Sequence, residues 1–98
     1  MEKFFIMKDT GKQEVEGKRL TLTVNGTTVC QAFVTNYGQD RTGSPCVVTE
    51  MSSGLQVGQG QSEKAAKKHA EDRIAFVGIE RFGKMVADAV AKYGVANK

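Results

Sequence analysis

The dipeptide Asn25-Gly26 restricts the fold more than any other feature of this chain. It separates two runs rich in β-branched and apolar residues, and residues 19–24 before it alternate apolar and polar with a period of two. A two-residue hairpin connection needs positive φ at its centre, which asparagine and glycine tolerate at little cost, so the pattern predicts a tight β-hairpin. Residues 27–37 are then the return strand.

The sheet extends in both directions from this hairpin. Residues 4–8 form a short apolar strand ending at Lys8, and 9–18, polar with Gly11 and Gly17, read as a turn or loose connection. Beyond a polar loop over 38–45, residues 46–51 are a strand, Ser52-Ser53-Gly54 a tight turn, and 55–59 a further strand. Pro45, the only proline, falls at a strand entrance, where its missing N–H is tolerated. The period then changes. Ser62 is a favoured N-cap residue, and Glu63 follows it where the helix dipole welcomes a negative charge. Ala66, Ala70, Ile74 and Val77 recur on one helical face, while Lys64, Lys67, Lys68 and Glu71 lie away from it. Gly78 offers a break, and a second helix is predicted over 79–92, with an apolar stripe of Phe82, Met85, Val86, Ala89, Val90 and Tyr93.

Strands followed by helices predict an α+β fold, an antiparallel sheet of hairpins covered by C-terminal helices. The 98 residues are expected to form a single domain, with N-terminal strands over 1–28, a core over 29–77 and a C-terminal helix and tail over 78–98. A chain of this size buries somewhat more than ~60% of its unfolded surface, which leaves little room for a large enclosed active site. No apolar run approaches the roughly 20 residues of a membrane span, and none near the N-terminus is long enough for a signal segment. The expectation is a cytoplasmic protein without membrane contact.

Cys30 and Cys46 form no CxxC pair and read as small packed hydrophobes. His69 is the only histidine, too few ligands for a zinc site, so neither metal nor cofactor is expected. No G-x-S-x-G, H-E-x-x-H, Walker-type or dinucleotide motif occurs, and the His69 and Asp72 pair has the spacing of any helix surface. The chain is expected not to be an enzyme. A net charge of +3 and a pI near 9 incline it towards anionic partners.

Residues 54–76 carry the sharpest functional question. Gly58 and Gly60 close a strand, and Lys64, Lys67 and Lys68 occupy the first turns of the helix that follows. Free N–H groups at a helix start, a permissive glycine corner and nearby ammonium groups together make an anion site. The same residues also suit a plain structural purpose, with glycines for close strand-to-helix packing and lysines for a solvated face.

The run Gly54-x-x-x-Gly58-x-Gly60-x-Ser62-x-Lys64-x-Ala66-Lys67-x-x-Ala70 resembles the last strand and second helix of the double-stranded RNA-binding domain, whose signature there is G-x-G-x-S-K-K-x-A-K-x-x-A-A. Residues 33–38 and 45–51 are similar in pattern to that family's first two strands, so the resemblance spans about 29–77. It implies a dsRBD-like fold and recognition of double-stranded or structured RNA, or of DNA, by shape and phosphate contacts. Lys64, Lys67 and Lys68, assisted by Ser62 and the Gly60 backbone, are the implied phosphate contacts, with Gln39, Arg41 and Ser44 secondary candidates for the minor groove.

The chain also departs from the family. A β-hairpin stands where the family has its opening helix, Gly38-Gln39-Asp40-Arg41 replaces a G-P-x-H-type loop, and Glu63 replaces the first lysine of the helix element. The competing expectation is a protein-interaction or homodimerisation module that keeps the fold without RNA binding.

Overall fold

The computed structural model describes residues 1–38 and 42–97. Five strands, β1 (Glu2–Lys8), β2 (Gly11–Val24), β3 (Thr27–Asn36), β4 (Cys46–Glu50) and β5 (Gln56–Gly60), precede two helices, α1 (Glu63–Val77) and α2 (Ile79–Tyr93). The strands are antiparallel and lie in chain order, β1-β2-β3-β4-β5, which gives the α+β class that the sequence predicts. Asn25 and Gly26 have φ of 51° and 81°, as the tight turn requires. No helix among the described residues is long and apolar enough to cross a membrane.

One stretch differs from its sequence reading. Residues 11–18, expected as a loose connection, are the first half of β2 and pair with β1 from Lys8↔Gly11 to Glu2↔Gly17. The second half of β2 pairs with β3 from Lys18↔Val34 to Val24↔Thr27. Lys12, Gln13, Glu14 and Glu16 hide this strand from a hydrophobic pattern, because its side chains are mostly in water and only Val15 packs inward from among them.

The two halves of β2 serve two cores. Ala32 and Val34 of β3 face α1, together with Leu22, Val48 and Val57. Phe33 between them points the other way, where it meets Phe4 and Met51, and the Phe4 and Phe33 rings stack with centroids 4.4 Å apart. The β1–β2 arm therefore covers the face of the sheet that the helices leave open. Gly17 permits this approach, since a Cβ there would sit 3.0 Å from the Val34 carbonyl oxygen and 3.1 Å from the Phe33 ring.

Side chains close parts of both sheet edges, which reduces the unpaired backbone available for pairing with another chain. On β1, the Phe5 N–H donates to Asn97 Oδ1 at 2.8 Å, and Asn97 Nδ2 donates back to the Phe5 carbonyl at 2.8 Å. The Met7 N–H donates to the Gly54 carbonyl at 2.9 Å. On β5, the Gln59 N–H donates to His69 Nδ1 at 3.1 Å.

Ala66, Ala70 and Ile74 of α1 are buried as the stripe predicts, but Val77, expected beside them, is 37% exposed where the helix ends at Gly78. In α2 only Phe82 is buried. Val86, Ala89 and Val90 are half-buried, and Met85 and Tyr93 are exposed.

Candidate nucleic-acid interface

The register brings the end of β3, the start of β4 and the end of β5 to one end of the sheet, through Asn36↔Cys46 and Cys46↔Gly60. The start of α1 follows directly from that end. Ser62 is its N-cap: the backbone is extended there (φ −138°, ψ 166°), and Oγ accepts the Ala65 N–H at 3.1 Å. The hydroxyl proton is left to donate elsewhere.

The three candidate lysines differ in their partners. Lys64 is exposed and makes no ion pair among the described residues. Lys67 Nζ lies 3.1 Å from Glu71 Oε2, and Lys68 Nζ lies 3.0 Å from Asp72 Oδ2. Two cations not singled out from the sequence join them. Lys18 and Arg19 of β2 line, with Leu20, Val34, Glu63, Lys64 and Lys67, a pocket of about 220 Å³ beside the helix start. Lys18 Nζ is 3.9 Å from Glu63 Oε2, whereas Arg19 is held by Glu2 at 2.9 Å and lies 5.4 Å over the Phe4 ring. Lys18 falls in the connection assigned over 9–18 and Arg19 opens the alternating run over 19–24, and neither assignment gave a reason to place them near α1.

Both glycines of the corner are required by packing. A Cβ on Gly58 would come within 2.6 Å of the Ala70 nitrogen, and one on Gly60 within 2.6 Å of the Ala66 nitrogen. The close approach of β5 to α1 is thus their structural purpose, and it sets the position of the helix start. Ser44 is half-buried just before β4, at the same end of the sheet. Gln39 and Arg41 lie outside the described residues.

Lys67 has a second task through Glu71. That carboxylate accepts the Thr23 N–H at 2.7 Å and the Thr23 hydroxyl at 3.1 Å, so it ties α1 to β2. Burial pushes the Glu71 carboxyl up, but the bonds from Thr23 and Lys67 outweigh burial and hold it below its ordinary value.

His69 is exposed and accepts a hydrogen bond from the β5 edge. Both cysteines are free. Burial, with Glu50 nearby, pushes the Cys30 thiol up to about 12, and burial with Glu63 nearby raises that of Cys46. Such thiols are poor nucleophiles, because the thiolate is the reactive form. Among the described residues no group of three or more His, Cys, Asp or Glu side chains is placed to hold a metal ion.

Comparison of the chain with protein-family models, with curated proteins and with solved structures finds no match.

Proposed function

We propose that this chain binds double-stranded or otherwise structured RNA through phosphate contacts at the start of α1, by shape and without sequence preference. The observation that carries the reading is the gathering of Lys18, Lys64 and Lys67 around one pocket beside an N-capped helix start. Lys68 lies one residue further along the helix, and its exposed pair with Asp72 can exchange for a phosphate at small cost. A-form RNA presents phosphates across a narrow major groove, so ammonium groups at a helix start can bridge them without reading bases. The resemblance of residues 54–74 to the double-stranded RNA-binding domain supports the same assignment, as does the order of three antiparallel strands followed by a helix packed on them. The reading calls for no cofactor and no catalysis.

A second reading, an interaction module without RNA binding, draws on the acids at the same place. Glu71 and Asp72 already pair with Lys67 and Lys68, and Glu63 adjoins Lys18. A titration with duplex RNA, duplex DNA and single strands at two salt concentrations separates the two. With about three cations engaged, log K should fall against log salt with a slope of roughly −2 to −3, on the coefficient for B-form DNA. Lys18→Glu with Lys64→Glu should weaken binding to all duplexes alike, since backbone contacts carry no sequence information. This pair leaves the Lys67 and Glu71 contact intact, so the fold is not the variable. Indifference of the wild type to duplex RNA at low salt overturns the first reading and leaves the second in its place.

A further inference from the structure

The C-terminal end of α1 has the opposite chemistry. Phe76 is 93% exposed, and Val77 and Ile79 beside it are 37% and 41% exposed. Next to them runs an open groove of about 550 Å³, lined by Val24, Ala75, Val77 and Ile79 and by the charged pair Glu80 and Arg81. A phenyl ring left in water beside a groove of mixed apolar and polar lining costs solubility and contributes nothing to the core, which makes this corner a candidate contact surface.

The charges at this corner bear on the choice of occupant. Glu80 and Arg81 make no ion pair or hydrogen bond among the described residues, and together they leave the groove neutral on a chain of net charge +3. An acidic partner would leave Glu80 facing like charge, and a basic one would do the same to Arg81. A surface with one acid and one base, one protruding ring and one groove complements itself. Across a two-fold axis each such element is satisfied twice.

We infer that this corner is a homodimer interface, in which Phe76 of each copy seats in the groove of the other and Glu80 of each meets Arg81 of the other. Lys64 and Phe76 lie towards opposite ends of α1, whose 15 residues span about 22 Å, so a dimer built this way leaves both basic ends free. The inference rests on the apolar corner alone and holds whether or not the basic end binds RNA. With one ring and one ion pair contributed by each copy, the dimer is expected to be weak and to form only from about micromolar concentration upward.

Sedimentation equilibrium from micromolar to millimolar concentration tests it. The wild type should pass from monomer to dimer over this range, and Phe76→Asp should remain monomeric throughout. The thermal unfolding of that variant at low concentration should match the wild type, because the ring touches no core. Glu80→Arg should weaken the dimer about tenfold, and Glu80→Arg with Arg81→Glu should restore it, as expected of a pair that meets across the axis. A wild type that stays monomeric at every concentration overturns the inference and leaves the corner to a different partner. A dimer that survives Phe76→Asp, or a charge swap that fails to restore it, overturns this arrangement.

Discussion

At one end α1 begins with Ser62, Glu63 and Lys64 over a glycine corner; at the other it finishes with Ala75, Phe76 and Val77 beside the Asn25-Gly26 turn. The inward face is the same along its whole length, with Ala66, Ala70 and Ile74 all buried against the sheet. Only the outward residues change, from ammonium groups to a bare phenyl ring. Packing dictates the inward face and is indifferent to the outward one, so the contrast between the ends calls for a reason outside the fold. The proposed anion contact at the first end and the proposed contact between two copies at the second would each supply such a reason.

The largest effect expected separates neighbours on the helix. Ile74→Ala removes a side chain that is 1% exposed and should destabilise the fold by about 2–5 kcal/mol in urea unfolding. Phe76→Ala, two residues on, should change monomer stability by less than about 0.5 kcal/mol. A comparable loss at both positions would mean that the ring at 76 packs in solution, and the contrast between the ends would collapse.

Next in size is the glycine corner. A Cβ on Gly58 meets the Ala70 nitrogen at 2.6 Å and its Cα at 2.8 Å, backbone atoms that cannot step aside without moving the helix. Gly58→Ala should cost about 1–3 kcal/mol by overpacking, read as a shift of the urea midpoint at constant slope. An unchanged midpoint would show that α1 stands further from β5 than this packing requires.

The elements visible in the sequence are those whose burial has a simple period. Alternation at 19–24 and the alanine stripe of α1 each reflect one covered face, and the Asn25-Gly26 turn and Ser62 cap act through local backbone chemistry. The first half of β2 was not legible, because its partner is a short strand and most of its side chains face water. The second core was hidden for a related reason. Phe33 follows Ala32 and precedes Val34, so β3 reads as a continuous apolar run and does not reveal that both faces are covered. At the site, the residue types were legible but their pairing was not. Nothing in the spacing of Lys67 and Glu71 announces that the carboxylate is also bound by Thr23, 48 residues away in the chain.

That tether gives the next prediction. Glu71 has a lowered pKa, so its contribution to stability is fully present above its unfolded value, near the ordinary 4.5, and is lost as pH falls through the lower folded value. Glu71→Gln should therefore cost about 1–2 kcal/mol at neutral pH. It should also flatten the loss of stability below pH 4.5, measured as unfolding midpoints at several pH values. A variant that keeps the wild-type acid dependence would assign that dependence to other carboxylates.

The smallest effect is the sharpest for the basic end, because fold and function respond to it in opposite directions. Glu63 is the first residue of α1, where its charge favours the helix dipole, so Glu63→Gln should lower stability by a few tenths of a kcal/mol. The same carboxylate stands 3.9 Å from Lys18 and beside the pocket where phosphate is proposed to bind, with Lys18 exposed and Glu63 half-exposed. Removing its charge frees Lys18 and withdraws a repulsion, which should raise affinity for duplex RNA about two- to fourfold at low salt, an effect of less than about 1 kcal/mol. Screening between exposed charges should erase most of that gain as salt rises. Tighter binding by a slightly less stable protein has no explanation in packing, so that combination would place the phosphates at the start of α1. Weaker binding, or a gain indifferent to salt, would move the contact surface away from Glu63 and leave the basic end a solvated face.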